Sequence, residues 1–269
     1  MSAYPAEAED AKLVDRALQA MANHDLPTAE GILRDVVSRT PAGYVHQFEE
    51  GGQLHIRFWS TDEFVRYVTL PRAAPLKQGV LHIANAYPRA YYHLGFLFVQ
   101  KGDLAAALQW LDAGLRLESH PMLRFEKGNV LLRLHRFDEA FRLFDSVVAQ
   151  GDEIAPATRA MGMRGKGFVL IERGSLDEAE AVFRASLELD PDSGVARNEL
   201  RYIQNLRGGG RRTAMQSVQA DLSSAPPQCF RCGTTEINGG KVVNVKGQTI
   251  YACKACLGKL TKKWWEFWK

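Results

Sequence analysis

The four cysteines of the chain have the spacing of a metal site. All of them fall in one 28-residue window, as Cys229-x2-Cys232, twenty further residues, and then Cys253-x2-Cys256. Each CxxC pair lets two thiolates reach one ion from a tight turn, and the stretch between the pairs is about one β-hairpin long. Four sulfur ligands in a tetrahedral arrangement favour Zn2+. Because four cysteines leave no position for a reactive water, the prediction is one structural zinc ion.

Other uses of CxxC pairs stay open as alternatives, namely a redox dithiol, a pair of structural thiols, or an iron-sulfur or rubredoxin-type iron site. A redox motif needs only one pair, whereas two occur here. Disulfides are disfavoured because no cysteine precedes Cys229 and the N-terminal MSAYPAEAED has no apolar run that would mark export. The expected location is therefore the cytoplasm. The sequence has no apolar stretch of about 18 residues, so no membrane-spanning helix is expected.

The elements that would position the cysteines are a hairpin and a helix. Alternating apolar residues predict strands over 241–245 and 248–251, with Lys246-Gly247 as the turn, and a helix that begins at Cys256. This order resembles a treble-clef or zinc-ribbon finger, and residues 229–257 are similar to the small zinc-binding domain that fronts the ClpX unfoldase. The four cysteines carry the resemblance. It implies the fold and the metal rather than a particular partner.

A second pattern fills most of the remaining chain. Three kinds of residue recur along the chain, with spacings of 33 and 39 residues from one unit to the next. They are a glycine, an alanine twelve residues later and a larger apolar residue four residues after that: Gly95, Gly128 and Gly167; Ala107, Ala140 and Ala179; Leu111, Phe144 and Phe183. A glycine lets two antiparallel helices cross closely, and the larger side chain fills the gap beneath the crossing. With Tyr91-x2-Leu94-Gly95-x2-Phe98 as the best-matched unit, the pattern resembles tetratricopeptide repeats (TPRs). A generic helical bundle is the alternative.

The predicted fold is mainly α, a TPR α-solenoid with a small β-containing insertion and a C-terminal zinc-binding finger of hairpin and helix. In the insertion we expect a hairpin turning at Gly51-Gly52, a helix capped by Ser60, and a third strand over 79–83. A capping helix over 193–206 is expected to turn Glu199 outward. The expected segments are a TPR-like unit at 1–43, the insertion at 44–87, three TPR units and the capping helix at 88–206, a flexible linker at 207–227 and the zinc finger with a Trp-rich helix at 228–269.

The resemblance to TPRs implies a peptide-binding groove along the first helix of each pair. Transferred to this sequence, the groove positions are Tyr92, Phe96, Gln100, Phe125, Asn129, Arg133, Arg164, Phe168 and Glu172. This aromatic and mildly basic surface suits an extended or helical peptide with apolar anchors, and the two arginines would bind a carboxylate. In the alternative interpretation, the three phenylalanines are simply buried between neighbouring helices.

Charge is distributed unevenly along the chain. Residues 207–269 hold 11 lysines and arginines against 3 acidic residues, whereas residues 1–206 hold 23 against 28. The basic end leaves nucleic acid open as a partner. A membrane surface is the other alternative, because the last residues include lysines beside tryptophans: Lys262, Lys263, Trp264, Trp265 and Trp268. Docking of a protein partner by this tail, or packing of the tail on the finger, is the preferred interpretation.

No pattern in the chain predicts enzyme activity. The run Gly208-Gly209-Gly210-Arg211-Arg212 lacks the lysine and hydroxyl ending of a phosphate-binding loop, and neither an HExxH motif nor a nucleophile elbow occurs. We therefore expect a bacterial-type cytoplasmic adaptor, not an enzyme, without a small-molecule substrate. Its TPR groove would hold a peptide segment and its zinc finger would dock a second protein. The alternatives are a nucleic-acid-binding regulator and a peripheral membrane adaptor.

Overall fold

A computed structural model of the chain describes residues 4–70, 79–212, 241–245 and 248–252, and the chain divides into two compact units, 1–210 and 211–269. The described helices are α1 Tyr4–Ala22, α2 Leu26–Ser38, α3 Thr61–Thr69, α4 Tyr87–Gln100, α5 Leu104–Leu117, α6 Pro121–Arg133, α7 Phe137–Val148, α8 Pro156–Arg173, α9 Leu176–Leu189 and α10 Gly194–Arg207. The described strands are β1 Gln47–Glu50, β2 Gln53–Phe58, β3 Val80–Ala84, β4 Lys241–Val245 and β5 Gln248–Ala252. None of the described helices is both long enough and apolar enough to cross a membrane.

The helices of the first unit form antiparallel pairs joined by tight turns. In four pairs the turn contains one residue in the left-handed backbone region: His24 (φ 59°), Gly102 (φ 79°), His135 (φ 57°) and Gly174 (φ 80°). Each lies seven residues after the small residue of its own first helix, which is Ala17, Gly95, Gly128 or Gly167. The same turn in the same register therefore closes α1/α2, α4/α5, α6/α7 and α8/α9.

Close helix crossings occur where the glycine pattern predicts them. A Cβ added to Gly95 would lie 2.5 Å from Leu111, and one added to Gly128 would lie 2.6 Å from Phe144. At Gly167 the added Cβ would lie 2.6 Å from the ring of Phe183. Ordinary van der Waals contact begins at 3.4 Å, so only glycine allows these approaches. The predicted pairing of small and large residues across each helix pair is confirmed.

The insertion between α2 and α4 is a three-stranded sheet with one helix. Strands β1 and β2 pair antiparallel around Gly51 (φ 60°) and Gly52 (φ 74°), as the sequence predicts. Ser60 caps α3 by accepting a hydrogen bond from the Glu63 amide at 3.2 Å. Strand β3 pairs with β2 in parallel, an orientation that the sequence did not predict. The insertion thus forms a small layer of its own, with Phe58 packed edge-on to Phe64 at a centroid distance of 5.6 Å.

A buried ion pair joins this layer to α1. Arg57 on β2 donates to Glu7 on α1 at 2.8 Å, and their side chains are 8% and 2% exposed. The Arg57 guanidinium also lies 4.8 Å from the ring centroid of Tyr44. Burial raises the pKa of the Glu7 carboxyl above its ordinary value even though Arg57 acts in the opposite direction. The insertion is therefore anchored in the fold through charges that water does not screen.

In the second unit, the structure describes one antiparallel hairpin. Lys241 pairs with Ala252 and Val245 with Gln248, which confirms the two predicted strands. Several predicted features lie outside the described residues: the four cysteines, the turn at 246–247, the linker residues 213–227, the helix that begins at Cys256, and the tail residues Lys262, Lys263, Trp264, Trp265 and Trp268.

Candidate protein-binding groove

The nine predicted groove residues form a three-by-three array on the first helices of the three repeats. Helix α4 lies beside α6, and α6 lies beside α8. Within each helix the residues are four apart, so they share one face. The rows across the helices are Tyr92, Phe125 and Arg164; Phe96, Asn129 and Phe168; and Gln100, Arg133 and Glu172. We call this surface the groove.

The insertion covers one corner of the groove. Trp59, directly after β2, meets Tyr92 edge-on with ring centroids 5.5 Å apart. On its other side Trp59 stacks flat on His120, at a centroid distance of 3.8 Å and an interplanar angle of 4°. Burial raises the pKa of the Tyr92 hydroxyl, and the nearby Glu126 carboxylate adds to this shift. Tyr92 is thus a packing partner of the insertion rather than an open position.

Two carboxylates hold the insertion at this corner. Glu118, which follows α5, accepts a hydrogen bond from the Trp59 indole N–H at 3.1 Å and another from the side-chain amide of Asn85 at 2.7 Å. Glu63 of α3 accepts from the Trp59 backbone amide at 2.9 Å and lies 3.0 Å from His120 Nε2. Burial acts to raise the pKa of Glu118, but its partners outweigh burial and the pKa lies below its ordinary value. Glu118 therefore stays ionised and keeps the insertion docked.

The two groove arginines have different partners. Arg164 is 12% exposed and forms a salt bridge with Asp190 at 2.9 Å, so its charge is already neutralised. Arg133 donates to the backbone carbonyl of Val99 at 3.4 Å, and it has no salt bridge within the described part of the chain. Of the two, Arg133 is the one that can bind a carboxylate from a partner.

A buried acid that the sequence did not single out lies beneath Arg133. Glu126 is 6% exposed and accepts a hydrogen bond from the Asn129 side chain at 3.4 Å. Burial raises its pKa above the ordinary value, although Asn129 and Arg133 act in the opposite direction. Asn129 is therefore oriented by Glu126, and the Arg133 charge is only partly balanced by an acid held below the surface.

The three groove phenylalanines differ in exposure. Phe125 packs on Phe144 and Phe168 packs edge-on to Phe183, each at a centroid distance of 5.6 Å. Both are therefore attached to the helix crossings and present only part of their rings. Phe96 is 36% exposed and is the most open aromatic side chain of the groove. The alternative of simple burial thus fits Phe125 and Phe168 better than Phe96.

At the far end of the groove, α10 places a second acid near Glu172. The sequence predicted that Glu199 faces outward, but this prediction is wrong, because the side chain is 3% exposed. Glu199 lies between Ala196 and Ile203 on the helix face that packs against α9, and both of these residues are fully buried. The helical spacing of these three positions is three and four residues, which puts Glu199 on the inner face.

Comparison with known proteins identifies the repeats. Residues 88–121 and residues 125–194 each match a tetratricopeptide repeat family. The chain therefore contains TPRs, and its first unit is a mainly helical TPR-like solenoid with a small three-stranded sheet. A curated relative, cellulose synthase operon protein C of Pseudomonas fluorescens (strain SBW25), is 35% identical over 103 residues, which are 37% of this chain. The match spans only 8% of that relative's length.

Solved structures support the same fold. The pilF protein of Pseudomonas aeruginosa gives a TM-score of 0.50 at 14% identity, covering 82% of this chain and 85% of that one. The apo form of RapI gives 0.52 at 9% identity, covering 75% and 65%. At these identities the likeness concerns the fold alone. TPR solenoids are typically non-catalytic, and they commonly act as adaptors that bind peptide segments of other proteins.

Proposed function

We propose that this chain is a protein-interaction adaptor that catalyses no reaction and whose groove binds a peptide segment of a partner protein. The observation that carries the proposal is the state of Arg133. It lies on the groove face without a salt bridge among the described residues, whereas Arg164 is neutralised by Asp190. A basic side chain in this state offers a charge-assisted hydrogen bond to an incoming carboxylate.

The groove also defines the chemistry of the peptide. Phe96 supplies an open aromatic contact, and Gln100, one turn further along α4, is exposed and can hydrogen-bond to a peptide backbone. The contact of Trp59 with Tyr92 closes the corner beside the insertion. A fitting segment has an apolar side chain for Phe96 and an acidic side chain for Arg133, and it runs away from the insertion.

A capture experiment tests the groove. The full chain is immobilised, and proteins retained from an extract of the source cells are quantified by mass spectrometry. Replacement of Arg133→Gln removes the open charge and should reduce the specific retained protein about tenfold, which corresponds to the loss of one charge-assisted contact. The matched control is Arg142→Gln, because Arg142 is exposed on α7 outside the groove. Equal retention by both variants would show that the groove does not bind through Arg133.

We also propose that Cys229, Cys232, Cys253 and Cys256 hold one structural zinc ion, and that the resulting finger docks a second protein. The support is the described hairpin: β5 ends at Ala252, immediately before Cys253, and Ala252 pairs with Lys241 at the start of β4. The hairpin thus lies within the twenty residues between the two CxxC pairs, with eight residues between Cys232 and Lys241. The purified chain should contain one equivalent of zinc. Replacement of Cys253→Ser should abolish it, while Thr235→Ser, between the pairs, should not.

A further inference from the structure

The last described helix of the solenoid, α10, carries an acid on its buried face. Ala196 and Ile203 pack against the last repeat with no exposed surface, and Glu199 lies between them with 3% exposure. Ala196 and Ile203 belong to one buried apolar cluster with residues of α8 and α9: Leu170, Ile171, Ala179, Phe183, Ala196 and Ile203. Apolar surroundings favour the neutral form of a carboxyl group over the charged form.

The groups that face Glu199 do not compensate its charge. No hydrogen bond or salt bridge of the Glu199 side chain is found among the described residues, and the charged group that acts on it is the carboxylate of Glu172 on α8. From α9, Asp177 and Glu180 are paired with Arg207, which lies about two turns further along α10 than Glu199. Burial is the larger cause and the Glu172 carboxylate the smaller one of a shift that raises the pKa of Glu199 to about 7.

Helix α10 is the last described helix of the array in the first unit. Repeat units contact only their neighbours, so a helix at the end of such an array is held on one side. Helix α10 packs against α9, its first turn is capped by Ser193, and its last turn is held by the pairs of Arg207 with Asp177 and Glu180. The two ends are thus fastened, and the buried acid lies between them.

We propose that α10 is a pH-sensitive cap, in which the charge on Glu199, opposite Glu172, loosens the helix from the last repeat as the pH rises through neutrality. Below neutrality Glu199 is protonated, and the buried face of α10 is uncharged. Above neutrality the closed form must bury a carboxylate near another carboxylate, whereas the open form exposes Glu199 to water. Opening uncovers the apolar cluster of the last repeat.

Hydrogen exchange of the full chain measures this opening directly. Amide protection in 194–207 is followed by mass spectrometry at pH 6 and pH 8, corrected for the intrinsic exchange rate, with α6 as the internal reference. The pKa of Glu199 is about 7 in the closed form and takes its ordinary value of 4.5 in the open form. The equilibrium constant for opening of α10 should therefore increase about tenfold from pH 6 to pH 8. We expect amide protection in α10 to decrease about tenfold from pH 6 to pH 8 and amide protection in α6 to stay the same.

Two variants and one control separate this mechanism from ordinary fraying of a terminal helix. Glu199→Gln should keep α10 equally protected at both pH values, and Glu172→Gln should reduce the pH dependence. Glu188→Gln, which removes an exposed carboxylate of α9 without a salt bridge in the described residues, should behave as the unmodified chain. Equal protection of α10 at pH 6 and pH 8 in the unmodified chain would overturn the proposal, as would an undiminished pH dependence in Glu199→Gln.

Discussion

The helix crossings can be tested by adding a single methyl group. In Gly167→Ala, the new Cβ would lie 2.6 Å, 2.7 Å and 3.0 Å from three ring atoms of Phe183. Phe183 has no exposed surface and is itself packed against Phe168, so the ring has no open space to move into. Helices α8 and α9 would have to separate to accept the methyl group, and the chain should lose stability.

The magnitude follows from two opposing effects. Overpacking of a closed contact costs about 1–3 kcal/mol. Alanine in place of a helical glycine returns about 1 kcal/mol, because alanine has the higher helix propensity. The net expectation for Gly167→Ala is a loss of about 1 kcal/mol in the free energy of unfolding.

A matched control isolates the packing effect. Gly31 lies within α2, and a Cβ added there would meet nothing within 4 Å. Gly31→Ala should therefore stabilise the chain by about 0.5–1 kcal/mol. Because the helix-propensity effect is common to both variants, the difference between them is the cost of overpacking, about 2 kcal/mol in the middle of its range. Thermal unfolding followed by circular dichroism should separate the two Tm values by about 4–8 °C.

Opposite signs of the two Tm shifts are the essential outcome. If Gly31→Ala and Gly167→Ala both raised Tm by similar amounts, helices α8 and α9 would not cross closely at Gly167. The repeated glycines would then not mark the positions where the helices cross.

Four further outcomes are expected. Arg57→Met should cost about 3–5 kcal/mol, because it leaves the buried Glu7 without its partner, and chemical denaturation measures this loss. Burial raises the pKa of Glu199 to about 7, so stability is lost from this group between pH 6 and pH 8, whereas burial lowers the pKa of His93 to about 3, so stability is regained from that group as the pH rises through its ordinary value of 6.5. The Tm of the unmodified chain should therefore decrease relative to that of Glu199→Gln between pH 6 and pH 8, and equal Tm changes in the two proteins would contradict the shift of Glu199. Removal of zinc by a chelator should leave the helical circular dichroism of residues 1–210 unchanged, because the proposed ligands lie in the other unit. Residues 211–269 should bind duplex DNA only weakly at moderate salt, and tight binding with a steep salt dependence would favour the nucleic-acid-binding alternative.

The sequence predicts the parts of this fold that depend on local spacing. Glycines and phenylalanines at fixed offsets determine where helices can cross, so Gly128 and Phe144 could be paired without coordinates. The turn at Gly51-Gly52 and the capping residue Ser60 are equally local signals, and the structure confirms both. Local chemistry therefore suffices for the elements and for the register of the repeats.

The state of the groove depends on contacts between residues distant in sequence. Asp190 neutralises Arg164 from 26 positions away, and Glu118 binds the Trp59 indole from 59 positions away. Glu199 is a different case, because its helical spacing from Ala196 and Ile203 indicated the inner face, but a charged residue is normally assigned to the solvent side of a helix. A single sequence carries no signal for pairs such as Arg164 with Asp190 or Trp59 with Glu118. The open and the occupied groove positions could therefore not be distinguished from the sequence.

Site-specific photo-cross-linking tests the central claim, that the groove is the surface that binds partner proteins. A photoreactive phenylalanine is introduced at Phe96 in the groove and, in a second variant, at Ala181, which is exposed on α9, the second helix of its pair. After irradiation in the source cells, the account predicts a discrete covalent adduct from position 96 that Arg133→Gln abolishes, and none from position 181. Adducts of equal yield from both positions, or an adduct from position 181 alone, would contradict it.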